Sequence, residues 1–165
     1  MKTAYFAGGC FWCITPVFAR LPGVASVVSG YCGGQEENPT YAQVKRQQTG
    51  HRETVAVVYD PERLAFAALV RVFLRNVDPF DGGGQFIDRG ASYTLAIFYQ
   101  DGAERSEAES QLRALEAQSG KPAQVALLPF AAFWPAEEEH QDYYVKHPEE
   151  FEAEMRASGR RTEGA

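Results

Sequence analysis

The sequence predicts an α+β fold: a ferredoxin-like core, β-α-β-β-α-β, with a mostly antiparallel sheet backed by helices and an irregular, wrapping C-terminal segment. Three observations predict it. Short runs rich in β-branched and aromatic residues alternate with stretches of helical apolar spacing from residue 3 to residue 128. Glycine and proline clusters mark most of the junctions. From Ala136 onward the chain is polar and aromatic, a composition suited to wrapping a core rather than building one.

The elements follow in order. Residues 3–7 (TAYFA) read as a short buried strand closed by glycines. In TPVF, Thr15 offers an N-cap and Pro16 a first helical position, which predicts a helix running to about Leu21. Residues 24–31 (VASVVSGY) read as a strand. Residues 33–50 hold Gly33, Gly34, Asn38, Pro39 and Gly50, a long loop of the kind that carries function. Residues 53–59 (ETVAVVY) form a strand by β-branched content. Asp60-Pro61 then caps a helix whose Leu64, Phe66, Leu69, Val70, Phe73 and Val77 share one face. DPFDGGGQ, residues 78–85, is a second glycine-rich loop. A strand at 94–99, a helix at 104–118 and a strand at 123–128 complete the series.

With 165 residues the chain suits a single domain over 1–165, its core at about 3–147 and a tail at 148–165. Hydrophobic content of 45% and charged content of 23% indicate a globular protein. A net charge of −6 argues against nucleic acid or anionic membrane as main partners. No run of about 18 apolar residues suggests a membrane span. The opening MKTAYFAGG lacks the apolar region and cleavage site of a signal peptide, so a cytoplasmic protein is expected. The cysteines are Cys10, Cys13 and Cys32, too few and too odd in number for a disulfide framework. In a reducing compartment such residues are catalytic, metal-binding or core.

Cys10 sits between a strand with two glycines and a predicted helix. A helix N-terminus stabilises a thiolate, and Gly8 and Gly9 permit a ligand to approach the backbone. A buried core cysteine is the plainer reading. Cys13 lies three residues on, so on a helix both sulfurs share a face and a disulfide is within reach. Zinc needs about four ligands. Cys32, His51, His140 and His147 are the further candidates, without finger-like spacing. No metal is therefore expected. Phe11 and Trp12 are core residues or an apolar wall for a methyl or thioether group. Tyr41, Glu53, Asp88 and Tyr93 lie in or beside turn-rich loops, where each is either surface or site. Spacing alone does not connect them to Cys10.

The segments GGCFWC, SGYCGG, NPTY, TGHRE, GGGQFIDRGASY, AIFY and PAEEEHQDYY, in this order, resemble the A-type peptide methionine sulfoxide reductases in their CFWC form. The resemblance covers about residues 3–147. It implies a mixed α/β fold with a ferredoxin-like core. It also implies reduction of the S epimer of methionine sulfoxide, free and in proteins, as oxidative-damage repair. By this resemblance Cys10 is the nucleophile, and Phe11 and Trp12 receive the substrate methyl group. Tyr41, Glu53 and Tyr93 hydrogen-bond the sulfoxide oxygen, with Glu53 as the acid and Asp88 a polar residue of the same site. His140, with Glu137 and Gln141, borders the pocket, and Gly50 and His51 form the turn that presents Glu53. No bound cofactor is implied. An external dithiol, thioredoxin or similar, recycles the enzyme, which is expected to be a monomer.

The chain departs from the family pattern in its second thiol. The tail EMRASGRRTEGA has no cysteine, and Ile87 replaces the cysteine of a GGQFCDRG segment. Cys32 stands where alanine is usual, Thr15-Pro16 replaces Glu-Ala, and Glu139 replaces an aromatic residue. Cys13 is therefore the first candidate to resolve a Cys10 sulfenic acid, with Cys32 second. The alternative to an enzyme is a non-catalytic domain that binds oxidised methionine or a protein partner.

Overall fold

Strand β1 (Lys2–Ala7) runs through the middle of a six-stranded sheet. The computed structural model describes residues 1–160; positions 161–165 of the expected tail lie outside the described residues. From β1 the chain enters α1 (Phe11–Ala19) and returns through β2 (Val24–Cys32). A short α2 (Tyr41–Lys45) precedes β3 (Arg52–Tyr59), and α3 (Phe66–Arg75) follows it. A two-stranded hairpin, β4 (Gly84–Gln85) and β5 (Asp88–Arg89), leads into β6 (Leu95–Tyr99). The four central strands lie in the order β6-β1-β3-β2, all antiparallel, with α1 and α3 as crossovers. This is the ferredoxin-like core that the element order predicts.

Two further strands widen the sheet. Helix α4 (Gly102–Ser119) carries the chain to β7 (Val125–Pro129), parallel to β6. β8 (Phe133–Pro135) pairs with β2 at the opposite edge. Among the described residues, no helix is long and apolar enough to cross a membrane.

Strand alternation separates two apolar layers. Phe6, Tyr31, Val55, Val57 and Ile97 belong to the core beneath α1 and α3, with Phe18, Leu69 and Phe73. Phe6 stacks on Phe18 and on Phe73, ring centroids 5.1 Å away in each case. Ala7, Cys32, Ala96 and Phe98 form a second cluster.

The structure corrects several predicted boundaries. Helix α1 begins at Phe11 and ends at Ala19, so Thr15 and Pro16 lie inside it. Thr15 donates its hydroxyl to the Phe11 carbonyl at 2.7 Å rather than capping. A proline inside a helix costs about 3 kcal/mol. Burial of Phe11, Ile14, Val17 and Phe18 outweighs it. The loop at 33–50 contains α2, set by a reciprocal capping box between Thr40 and Gln43. Helix α3 starts at Phe66, because Asp60 instead closes a turn onto Glu62, Arg63 and Leu64. The C-terminal segment wraps the domain but is more regular than expected. It holds a 3₁₀ turn (Glu138–His140), α5 (Tyr143–Lys146) and α6 (Pro148–Ser158). Local signals explain α6: Pro148 at its start, Glu149 and Glu150 in its first turn, and Gly159 beyond its end with φ 76°.

Candidate active site

Residues 8–10 join β1 to α1 and set the site. Cys10 is the residue before the helix, and its carbonyl accepts the Cys13 and Ile14 N–H groups at 3.1 and 3.4 Å. Gly9 has φ +87°, and a Cβ there would lie 2.6 Å from Arg160 Nη2 and 2.7 Å from Gln85 Cβ. Glycine is needed here for the close approach of the protein's own side chains. Cys10 and Cys13 are free, 6% and 1% exposed, and pack with Met155 of α6, flanked by Trp12 and Phe151.

Glu53 enters from β3. Its Oε1 accepts the Phe11 N–H at 3.1 Å, which ties the carboxyl to the first residue of α1. Its Oε2 is buried with no partner among the described residues. Burial pushes this carboxyl up to about 8; the Phe11 N–H opposes the shift and Asp88 adds to it. Glu53 is thus a proton donor at neutral pH. Tyr41 and Tyr93 are held as neutral phenols, their acidity suppressed first by burial and next by the neighbouring Glu53. Neither phenol hydroxyl bonds another described group.

Aromatic rings wall the site. Trp12 stacks on Tyr143 at 4.1 Å between centroids, and Tyr41 stacks on His140 at the same distance. Trp12 donates its indole N–H to His140 Nδ1 at 3.2 Å, so the imidazole proton sits on Nε2. Burial lowers the His140 pKa and keeps the ring neutral. Glu137 braces this wall: it accepts the Tyr31 hydroxyl at 2.8 Å and the Tyr41 N–H at 3.0 Å. Partial burial opposes the Glu137 charge, but these hydrogen bonds prevail and hold its pKa below the usual range.

The two thiols of the first helical turn are unequal. Cys10 is raised well above an ordinary thiol, first by the nearby Cys13 thiol and by burial, with Glu53 and Asp88 adding to the shift. Cys13 is lowered, first by the nearby Cys10 thiol and then by Arg160, against the effect of burial. Cys10 does stand directly before α1, as expected, but burial and its neighbours there oppose the helix end's pull toward a thiolate.

Several expected site residues sit elsewhere. Cys32 belongs to the separate Ala7–Phe98 cluster, while its neighbour Tyr31 packs with Phe11. The pleat therefore puts Cys32 on the sheet face away from Cys10, which removes it as the second resolving candidate. Burial pushes its thiol up to about 12. Gln141 spends its amide on Ser29 N–H, Ser29 C=O and Ala136 C=O, so it clips the C-terminal segment to β2 instead of lining the pocket. His51 accepts the Gly34 N–H at Nδ1 and lies 2.7 Å from the Glu36 carbonyl at Nε2. Both nitrogens are used within the loop that leads to β3, so His51 supports the site rather than binding. Gly50 is exposed in that same turn. Asp88 remains in the site: its Oδ2 is buried without a partner among the described residues, and burial raises its pKa.

Tyr31, Tyr143, Met155 and Arg160 belong to the site but escape sequence reasoning. Only Tyr31 left a usable signal, since it stands directly opposite Glu53 in the β2–β3 register. Among the described residues, no three His, Cys, Asp or Glu side chains converge on a metal position.

The model of the family described as peptide methionine sulfoxide reductase matches residues 2–163. The peptide methionine sulfoxide reductase MsrA of Halalkalibacterium halodurans is 48% identical over 163 residues, 97% of this chain and 92% of that protein. Methionine sulfoxide reductase A of Corynebacterium diphtheriae superimposes with a TM-score of 0.81 at 33% identity, covering 89% of this chain and 75% of that one. Reduced Mxr1 of Saccharomyces cerevisiae gives 0.84 at 26% identity, covering 90% and 86%.

Proposed function

The chain belongs to the peptide methionine sulfoxide reductase family, and from that premise we propose that it reduces the S epimer of methionine sulfoxide, free or in proteins, to methionine. The observation that carries the reading is Glu53: a buried acid, protonated at neutral pH, bonded to the residue next to Cys10 and with one oxygen unengaged. A sulfoxide accepts a nucleophile at sulfur only when its oxygen is protonated or strongly hydrogen-bonded. Glu53 supplies the proton, and the Tyr41 and Tyr93 hydroxyls supply neutral donors. Phe11 and Trp12 offer the apolar and aromatic surface that suits an S-methyl group.

The steps balance. Cys10 sulfur attacks the sulfoxide sulfur while the oxygen takes the Glu53 proton. The Cys10 proton passes to the Glu53 carboxylate so formed, which restores the acid. The hydroxyl then passes from the methionine sulfur to Cys10 as the transient S–S bond between them breaks, so methionine leaves and Cys10 is a sulfenic acid. Cys13 then attacks the Cys10 sulfur; the S–O bond breaks, an S–S bond forms and water departs. Residues three apart on a helix have Cβ atoms about 5–6 Å apart, whereas a disulfide needs about 3.5–4.5 Å. Cys10 lies just outside the helix with ψ 119°, and rotation there supplies the difference. An external dithiol, thioredoxin or a similar protein, returns two electrons and restores both thiols.

The test is turnover of a chiral methionine sulfoxide with dithiothreitol. Reduction of the S epimer alone is expected, with no activity in Cys10→Ser. Full activity in Cys10→Ser overturns the reading, and tight binding of the sulfoxide by a native protein that never turns over replaces it with a binding domain. Peptide mapping after one turnover without reductant is expected to show a Cys10–Cys13 bridge.

A further inference from the structure

The reaction above assigns no part to His140, an imidazole 8% exposed in the 3₁₀ turn Glu138–His140. That turn is held from both sides. The His140 N–H donates to the Glu137 carbonyl at 2.9 Å. Glu137 in turn accepts from the Tyr31 hydroxyl and the Tyr41 N–H, and Gln141 is clipped to Ser29. The Tyr41 ring lies 4.1 Å from the imidazole between centroids. His140 is thus anchored to β2 and α2. Its Nε2 stands 3.7 Å from the exposed Glu139 carboxylate, a long contact. The well-defined bond is at Nδ1.

Trp12 is placed differently. It stands in the first turn of α1, half-buried. Tyr143 stacks on it at 4.1 Å between centroids, inclined by 11°. A stack sets the plane of a ring but tolerates a range of offsets. A hydrogen bond is directional. The indole N–H donates to His140 Nδ1 at 3.2 Å, with the two rings inclined by 16°. It has no other partner among the described residues. This bond joins residues 128 positions apart and ties the first turn of α1 to the C-terminal segment.

We propose that His140 is a positioning and specificity-determining residue: its Nδ1 fixes the edge of Trp12, so that the indole meets the S-methyl group of the substrate at one distance. The inference rests on the proposed reduction, with Trp12 as the wall of the methyl site. A wall held in place leaves no room for a longer S-alkyl group, whereas a wall free to slide admits it. His140 acts through Trp12 and carries no proton in the reaction. Its own ring is locked by packing and by the hydrogen bonds of its turn, as a support of this kind requires.

Two measurements on the full chain test this. The first follows the indole N–H signals by proton–nitrogen NMR. The chain has two tryptophans, Trp12 and Trp134, and Trp12→Phe assigns their signals. The second compares kcat/KM for the S epimers of methionine sulfoxide and ethionine sulfoxide. The native protein is expected to show an exchange-protected Trp12 signal and to favour the methyl substrate at least tenfold, since one methylene in an apolar pocket is worth about 10–200-fold. His140→Phe keeps a ring against Tyr41 but has no acceptor. It is expected to lose the protection and to narrow the preference to about threefold or less. His140→Leu is the second acceptor-free variant, so a folding defect in one does not decide the matter. His140→Asn sets an amide oxygen one bond beyond Cγ, where Nδ1 stands, and is expected to restore both properties. A variant in which protection and preference part company overturns the inference. So does an unchanged Trp12 signal in both acceptor-free variants, or a native protein that reduces the two sulfoxides equally well. A native protein that reduces neither sulfoxide defeats the proposed reduction, and the inference with it.

Discussion

Replacing Glu53 by glutamine separates catalysis from stability. The carboxyl titrates at about 8 in the folded protein because it is buried. At pH 7 such a group is about nine-tenths protonated, whereas an ordinary glutamate near 4.5 is protonated to roughly 0.3%. Glu53→Gln keeps the shape and an acceptor for the Phe11 N–H but has no proton to transfer. A loss of about 10²–10³ in kcat/KM follows from the usual worth of a general acid. The native pH profile is expected to be flat to about 7 and to fall roughly tenfold per unit above 8. Stability moves the other way. A carboxyl whose folded pKa is raised stabilises the fold relative to its ionised form below the unfolded pKa. That contribution is lost as pH rises through the folded value. Between pH 4.5 and pH 8 the native protein therefore loses about 4 kcal/mol that the glutamine variant does not, an upper bound set by the two pKa values. Burying an unsatisfied amide N–H costs the variant about 1–3 kcal/mol at every pH, so the difference between the two pH values is the clean quantity. Urea melts of both proteins at pH 4.5 and pH 8 measure it. Parallel pH dependence in the two proteins refutes the raised carboxyl, and near-native activity in Glu53→Gln refutes its role as the acid.

Other outcomes follow from the same geometry. Cys13→Ser should release one equivalent of methionine and then stall as a sulfenic acid, detectable by dimedone capture, until a small thiol is added. Cys32→Ala should keep native turnover and the native disulfide. It should cost about 1–2 kcal/mol in a urea melt, since only a buried sulfur is lost from the Ala7–Phe98 cluster. Tyr31→Phe removes the 2.8 Å bond to Glu137, one of the two by which that carboxylate is held between Tyr31 and the Tyr41 backbone. A loss of about 1–3 kcal/mol in stability and a reduced kcat are expected, while Tyr41→Phe should reduce kcat without the stability loss.

Much of the core was legible because strand runs such as ETVAVVY and the apolar face of α3 carry their periodicity locally. Local rules failed where tertiary burial outvoted them. Thr15-Pro16 has the chemistry of a helix start, yet the packing of Phe11 and Ile14 pulled the start back to Phe11. Tyr41 and Glu53 were legible as site residues only through the motif series, because nothing in their spacing announces that β3 delivers Glu53 to the Phe11 N–H. Arg160 was invisible for a related reason: its contact with Gly8 joins residues 152 positions apart. Cys32 shows the converse. Its place in the motif SGYCGG invites a redox role, and only the pleat of β2 reveals which way it points.

That pleat has a consequence for oxidative chemistry. Three thiols permit three cross-links, and an enzyme that oxidises itself in every cycle risks each of them. Here Tyr31 and Cys32 face opposite sides of the sheet, so a bridge from Cys32 to Cys10 or Cys13 would have to pass through a layer of paired backbone. The sheet thus serves as an insulator: it separates Cys32 from the Cys10 and Cys13 thiols, and it shields a spare thiol that would otherwise be open to dead-end cross-linking.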